Sequence, residues 1–125
     1  MTEKMLFICY PKCTTCQKAK KWLDDRGITY EMRNIKDQNP NVTELAAWQR
    51  ISNVPVRKLF NTSGLLYKSL ALKDKLAAMP AAEQLALLAT DGMLVKRPLL
   101  ITADTVLVGF KPAEWEALLA EEASV

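Results

Sequence analysis

Two cysteines separated by two residues, in the run Cys13-Thr14-Thr15-Cys16, constrain this chain more than any other feature. The run follows an apolar segment, Met5 to Tyr10, and precedes a segment with helical spacing, Gln17 to Arg26. Two thiols one helical turn apart can form a disulfide with little rearrangement. A thiol at a helix start also meets free backbone N–H groups and the positive end of the helix dipole, which favour the reactive thiolate. The run therefore predicts a redox-active thiol pair between a strand and a helix.

The hydrophobic pattern predicts an α/β fold, an α+β sandwich with one mixed sheet. The first apolar segment is short and continuous, as in a strand covered on both faces. Ile28, Tyr30 and Met32 alternate with polar residues and predict a second strand, which a β–α–β unit would place parallel to the first. Leu99–Ile101 and Val106–Val108 flank a turn and predict a hairpin, followed by a last helix that begins near Pro112.

The segment from about 41 to 91 is predicted to be a helical insertion between these two halves. Asn41 and Glu44 have the spacing of a capping box, and Asp91-Gly92 is a natural helix stop. We expect a single thioredoxin-like domain over residues 1–125, in the order β–α–β, helical insertion, β–β–α.

Composition excludes several classes of protein. The chain has 125 residues, half of them hydrophobic, with three cysteines, no histidine and a formal net charge of +3. No apolar stretch approaches the roughly 20 residues of a membrane span, and the first residues leave no room for a signal peptide. The odd cysteine count does not suit a secreted disulfide framework, so we expect a cytoplasmic protein. A charge this mild does not indicate direct nucleic-acid binding.

The thiol pair suggests a division of labour. Cys13 is the better nucleophile candidate because it stands nearest the helix start and beside Lys12, and Cys16 would then be the resolving thiol. The backbone at Thr14 and Thr15 can hold an oxyanion or a carboxylate. An inert, buried thiol pair is the alternative.

A metal site is not expected. Structural zinc takes four ligands from Cys and His, and only Cys9 remains beyond the pair. Cys9 lies in the strand pattern and is expected to be a small buried residue.

Arg97-Pro98 is the next informative pair. In a thioredoxin-like fold the loop before the third strand faces the CxxC helix start, and a cis X–Pro bond there is common. Pro98 would begin that strand, where proline costs no ladder hydrogen bond, and Arg97 would point toward Cys13. The alternative is a surface arginine in a loop.

The chain resembles the arsenate reductase (ArsC) and Spx family over about residues 6–119. The resemblance rests on four runs: Tyr10 to Cys16, Leu59 to Gly64, Val95 to Leu99, and Gly109 to Pro112. It implies a thioredoxin-like fold with a helical insertion, and it implies thiol–disulfide oxidoreductase chemistry without a bound cofactor. Glutathione, glutaredoxin or thioredoxin would be the reductant, so the expected partner is a small thiol or a redox protein.

Arsenate reductases of this family surround the nucleophilic cysteine, here Cys13, with three arginines. One falls on Arg97, another is expected near Asn61 with Arg57 and Lys58 close by, and the third is replaced by Lys111. Lysine keeps the charge but loses the bidentate fork that suits an oxyanion.

The second cysteine is similar instead to the Spx branch. There a CxxC is the redox switch of a regulator that binds the RNA polymerase α subunit. The resemblance therefore leaves an enzyme and a regulator both open.

Overall fold

The computed structural model describes residues 5–123, with side chains through residue 120. Four strands form one mixed sheet: β1 (Met5–Cys9), β2 (Tyr30–Asn34), β3 (Leu99–Ile101) and β4 (Val106–Val108). Their order is β2-β1-β3-β4, with β1 parallel to β2 and the β1–β3 and β3–β4 pairs antiparallel. This is the strand arrangement of the thioredoxin-like fold, and the predicted fold class is confirmed.

Helices of very different length cover the sheet. The two longest are α1 (Thr14–Asp25) and α6 (Pro112–Ala123). Between β2 and β3 the chain forms α2 (Val42–Ser52), α3 (Leu65–Ser69), α4 (Leu72–Lys75) and α5 (Ala81–Leu88), with 3-10 turns at Val56–Leu59, Leu76–Ala78 and Gly92–Leu94. Among the helices of residues 5–123, none is long and apolar enough to cross a membrane.

The apolar residues divide into two cores, one on each face of the sheet. Cys16, Ala19 and Leu23 of α1 pack with Trp115 and Leu118 of α6 against the alternate residues of β1. The insertion buries the other face, using mainly leucines of its helices against Ile8, Leu99 and Ile101. Because a strand points successive side chains to opposite faces, the continuous apolar run of β1 serves both cores.

Two local expectations differ from the structure. The first helix begins at Thr14 rather than Gln17, so the CxxC run is the cap and first turn of the helix itself. The second strand begins at Tyr30, so Ile28 of the alternating pattern lies outside it, and Met32 is 44% exposed on this edge strand. The predicted capping box is confirmed: Asn41 accepts a hydrogen bond from the Glu44 amide at 2.8 Å, and the Glu44 carboxylate accepts from the Asn41 amide at 3.2 Å.

Candidate active site

Cys13 occupies the N-cap position of α1. Its amide donates to the Tyr10 carbonyl at 2.9 Å, and its own carbonyl accepts from the Gln17 amide at 3.0 Å, which fixes the turn between β1 and the helix. The Cys13 side chain makes no capping hydrogen bond and is half-buried. The backbone is therefore held in place while the sulfur is left accessible for chemistry.

The first turn of α1 offers free hydrogen-bond donors beside this sulfur. Within residues 5–123, the amides of Thr14, Thr15 and Cys16 have no backbone acceptor, as expected for the first turn of a helix. These donors and the helix dipole favour a bound anion at the helix start.

Cys16 lies one turn inside the helix and is almost completely buried, with 1% of its surface exposed. The Tyr10 amide donates to Cys16 Sγ at 3.4 Å. A hydrogen bond to Cys9, reinforced by burial, raises the pKa of Cys16 above its ordinary value. Cys16 is thus held as a thiol in the resting protein, and all three cysteines are free.

A cavity of about 770 Å³ opens in front of Cys13, and we call it the Cys13 cavity. Four stretches of chain contribute to it: the start of α1, the turn that leads into α3, the residues before β3, and the turn between β4 and α6. Its lining consists of Cys13, Thr15, Asn61, Ser63, Gly64, Leu65, Leu66, Met93, Lys96, Arg97, Gly109, Phe110 and Lys111.

A single β-bridge brings two of these stretches together. Phe60 pairs with Val95 in antiparallel fashion. The Asn61 amide donates to the Leu94 carbonyl and the Lys96 amide donates to the Leu59 carbonyl, both at 2.7 Å. This bridge places the insertion turn beside the segment that carries Lys96.

Gly109 fixes the conformation of the turn between β4 and α6. Its φ is +79°, a conformation that glycine adopts readily and other residues rarely do. A Cβ at this position would stand 3.0 Å from the Lys96 side chain. The Gly109 amide donates to the Pro98 carbonyl at 2.8 Å, and Trp115 Nε1 donates to the Gly109 carbonyl at 3.2 Å, so the turn is tied to both β3 and α6.

Arg97 lines the cavity, and the Arg97–Pro98 peptide bond is cis. One guanidinium nitrogen lies 3.3 Å from the Met93 carbonyl and 3.5 Å from the Val95 carbonyl, and the group stands 5.3 Å from the centre of the Tyr10 ring. Its Nε is buried and has no acceptor in the part of the chain that the structure describes. Arg97 is therefore braced near the thiol by backbone and aromatic contacts and keeps an unused donor.

The structure separates the sequence-predicted site residues into groups. Cys13, Thr15, Arg97 and Lys111 line the Cys13 cavity. The others lie elsewhere: Cys16 is buried in the core beneath the cavity, Pro98 is buried, Lys12 and Thr14 are exposed outside the lining, and Arg57 and Lys58 line a different cavity.

Sequence reasoning missed Lys96 as a cavity residue. Its only sequence signal is its place beside Arg97 in the Val95-to-Leu99 run. Cys9 is buried as expected, at 2% exposure, and its interaction with Cys16 contributes to the raised pKa of that thiol.

Comparisons with known proteins agree with this geometry. The family model of the ArsC family matches residues 9–118. The uncharacterized protein YusI of Bacillus subtilis is 48% identical over 112 residues, which cover 90% of this chain and 95% of YusI. The crystal structure of an ArsC-family-related protein from Bacteroides fragilis superposes with a TM-score of 0.91 at 58% identity, covering 94% of this chain and 99% of that one.

The chain is also similar to a regulator. The global transcriptional regulator Spx of Enterococcus faecalis is 28% identical over 112 residues, covering 90% of this chain and 83% of Spx. The family match spans all four stretches that build the Cys13 cavity, together with both cysteines of the pair. The chain belongs to the ArsC family.

Proposed function

We propose that the protein is a cytoplasmic thiol–disulfide oxidoreductase in which Cys13 attacks and Cys16 resolves. One observation carries the proposal: the Cys13 sulfur opens into a cavity at the start of α1, while Cys16 is buried one turn behind it. An external disulfide can therefore approach Cys13 and not Cys16.

The exchange proceeds in two steps. The Cys13 thiolate attacks one sulfur of a substrate disulfide, forms a mixed disulfide and releases the other half as a thiolate. Cys16 then loses its proton and attacks Cys13 Sγ, which forms the Cys13–Cys16 disulfide and releases the second half as a thiolate. Two electrons have passed from the thiol pair to the substrate, and glutathione, glutaredoxin or thioredoxin returns them.

The cationic side chains of the cavity support the first step. Lys96, Arg97 and Lys111 all line it, and the free amides of the first turn of α1 lie at the same end. Cationic side chains and amide donors in this place can stabilise the negative charge that moves onto the leaving sulfur during the exchange.

Reduction of 2-hydroxyethyl disulfide tests the proposal, because this neutral substrate requires thiol exchange and no recognition of a charged group. We expect Cys13→Ser to lose turnover by at least about a hundredfold, because no other accessible thiol replaces it. Cys16→Ser should accumulate a mixed disulfide, detected by intact-mass spectrometry. In Cys9→Ala/Cys16→Ser only Cys13 remains, so an adduct on that variant locates the nucleophile. Normal turnover by Cys13→Ser would reject the mechanism.

A redox regulator of the Spx type is a second candidate, favoured by the relationship to Spx over 90% of this chain. In that case the Cys13–Cys16 disulfide would switch affinity for the α subunit of RNA polymerase, and no disulfide would be turned over. Binding of the C-terminal domain of the polymerase α chain to the oxidised and reduced protein separates the two functions. Equal and negligible binding in both states would remove the regulator.

Arsenate reduction is a third candidate. The observation in its favour is that Lys96 joins Arg97 and Lys111 around the Cys13 cavity, which gives an oxyanion three cationic neighbours. Arsenate-dependent oxidation of NADPH, coupled through glutaredoxin or thioredoxin, tests it directly. A rate independent of arsenate would remove this candidate.

A further inference from the structure

A second cavity, of about 760 Å³, lies between strand β4 and the helical insertion, and we call it the β4 cavity. Apolar side chains that line it include Phe60, Leu76, Val106 and Val108. It shares Lys96 and Lys111 with the Cys13 cavity, so the two cavities meet at these lysines. Nothing in the thiol exchange described above uses it.

The charge of this cavity is strongly one-sided. Five cationic side chains line it together with a single carboxylate, that of Glu114: they are Arg57, Lys58, Lys73, Lys96 and Lys111. Glu114 lies 3.7 Å from Lys111. Among the side chains of residues 5–120, the other four cations have no carboxylate within 4.0 Å.

Two lysines of α1 show the paired arrangement that these four cations lack. Lys20 and Lys21 of α1 each lie 2.8 Å from an aspartate one turn further along the helix. Unpaired cations around one concavity repel each other, and the walls of a cleft concentrate their field, so an anion that enters relieves the repulsion. The β4 cavity thus has the charge of an anion site.

The volume and the apolar lining of the β4 cavity further restrict the class of ligand that suits it. Small-molecule sites commonly enclose about 300–1,000 Å³ and combine apolar walls with a few polar groups. A cavity of this volume with apolar walls and cationic side chains suits an amphipathic small molecule that carries several negative charges. Because Lys96 and Lys111 line both cavities, the β4 cavity borders the Cys13 cavity.

We propose that the substrate is a low-molecular-weight thiol or disulfide whose non-reacting part carries two or more negative charges and is bound in the β4 cavity. The inference rests on the proposed thiol exchange at Cys13 and names the substrate class for it. The chemistry is unchanged: Cys13 attacks the substrate sulfur, the other half leaves as a thiolate, and Cys16 resolves. The β4 cavity adds affinity and selects for the anionic tail.

A binding experiment tests the cavity without the chemistry. Cys13→Ser protein is titrated with three thiols at low salt, by calorimetry. They are coenzyme A, whose tail carries phosphates, glutathione, which carries carboxylates, and cationic cysteamine. We expect one or both anionic thiols to bind at least about tenfold more tightly than cysteamine, and Lys58→Glu/Lys73→Glu in this background to abolish that preference. Tighter binding of coenzyme A would indicate a phosphate tail, and tighter binding of glutathione would indicate a carboxylate tail. Equal affinity for all three thiols would overturn the inference.

A kinetic experiment ties the cavity to turnover in the otherwise unaltered protein. Lys58→Glu/Lys73→Glu should lower kcat/KM for coenzyme A disulfide or glutathione disulfide by about tenfold or more, and leave that for neutral 2-hydroxyethyl disulfide within about twofold. Lys68→Glu/Lys75→Glu is the matched control, because it reverses the same number of exposed lysines in the insertion and neither lysine lines a cavity. An equal loss with all substrates, or the same loss in the control, would overturn the inference.

The two proposals fail in different ways. If Cys13→Ser binds the anionic thiol and the unaltered protein reduces no disulfide, the thiol exchange is wrong and the anion site stands. If 2-hydroxyethyl disulfide is reduced and no thiol binds preferentially, the anion site is wrong and the exchange stands.

Discussion

The two faces of the sheet are built in contrasting ways. On the α1–α6 face, two twelve-residue helices enclose a cluster of aromatic rings. Trp115 is its centre, with ring centroids 4.9 Å from Phe110, 5.7 Å from Trp22 and 6.3 Å from Phe7, all edge-on. On the insertion face, helices of four to eleven residues are joined by turns and 3-10 segments. The thiols belong to the first face, and much of the wall of both cavities belongs to the second.

This difference suggests that the α1–α6 face positions the thiols and that the insertion face selects the substrate. Helices as short as α3 and α4 are not stable alone, so they depend on packing against each other and on neighbouring contacts such as the Phe60–Val95 bridge. The α1–α6 face holds the thiol pair at fixed geometry. We therefore expect substitutions of cavity side chains in the insertion to leave the positions of Cys13 and Cys16 unchanged.

Truncating one tryptophan on each face tests the contrast most strongly. Trp115→Ala and Trp48→Ala should each lower the free energy of unfolding by about 3–5 kcal/mol, because both rings are buried. Only Trp115→Ala should also slow exchange at Cys13, since it removes the ring that packs beside Phe110 and the hydrogen bond to Gly109. Urea unfolding and single-turnover exchange measure the two effects. Equal slowing by both variants would show that the faces are not separate.

The pH dependence of the resolving step comes next in size. Because the pKa of Cys16 is raised, the resting thiol must lose a proton before it attacks. Formation of the Cys13–Cys16 disulfide from a preformed mixed disulfide should therefore accelerate by up to about tenfold per pH unit across the neutral range. Rapid-quench mass spectrometry follows the reaction. Cys9→Ala removes the hydrogen bond that contributes to the raised pKa, so its profile should level off at lower pH; a wild-type plateau below neutrality would contradict the assignment.

The smallest effect concerns the attachment of the insertion to β2. The two guanidinium nitrogens of Arg33 donate to the two carboxylate oxygens of Glu44 at 2.6 and 2.9 Å, which lowers the pKa of Glu44 and completes the cap of α2. Glu44→Gln should cost about 1–2 kcal/mol of unfolding free energy at pH 7. Glu83→Gln is the matched control, because Glu83 is an exposed carboxylate in the first turn of α5 without an ion pair to the described residues.

The sign of its pH dependence follows from the lowered pKa. The stabilisation is fully present above the ordinary carboxyl pKa of 4.5 and is lost as the pH falls through the lower folded value. The stability difference between wild type and Glu44→Gln should therefore shrink toward zero as the pH falls below 4.5 and through the lower folded pKa. A constant difference in urea midpoints between neutral and acidic pH would show that the ion pair does not carry the effect.

Local patterns were sufficient for much of the fold. The apolar run of β1, the spacing of α1, the capping box at Asn41 and the hairpin of β3 and β4 each follow from neighbouring residues. The CxxC motif also predicted that the thiols lie between a strand and a helix. The alternation of Ile28, Tyr30 and Met32 predicted a strand but not its start at Tyr30 or its place at the edge of the sheet, because alternation carries no signal for either.

The walls of the cavities could not be predicted in this way. Arg57 and Lys58 line the β4 cavity and Asn61 lines the Cys13 cavity, although only a few residues separate them. Their separation depends on the bridge between Phe60 and Val95, a contact across 35 positions that leaves no periodic signal in the sequence. Lys96 enters both cavities for the same reason. Contacts of this kind are set by tertiary packing and not by local spacing.

Because the three sulfurs are buried to different degrees, the number of reactive thiols distinguishes the folded protein from the unfolded one. An electrophile added to the native reduced protein meets one accessible thiol, Cys13, because Cys9 and Cys16 are 2% and 1% exposed. The unfolded chain offers three. Alkylation of a second or third thiol thus reports opening of the contact between β1 and α1, and it needs no engineered label.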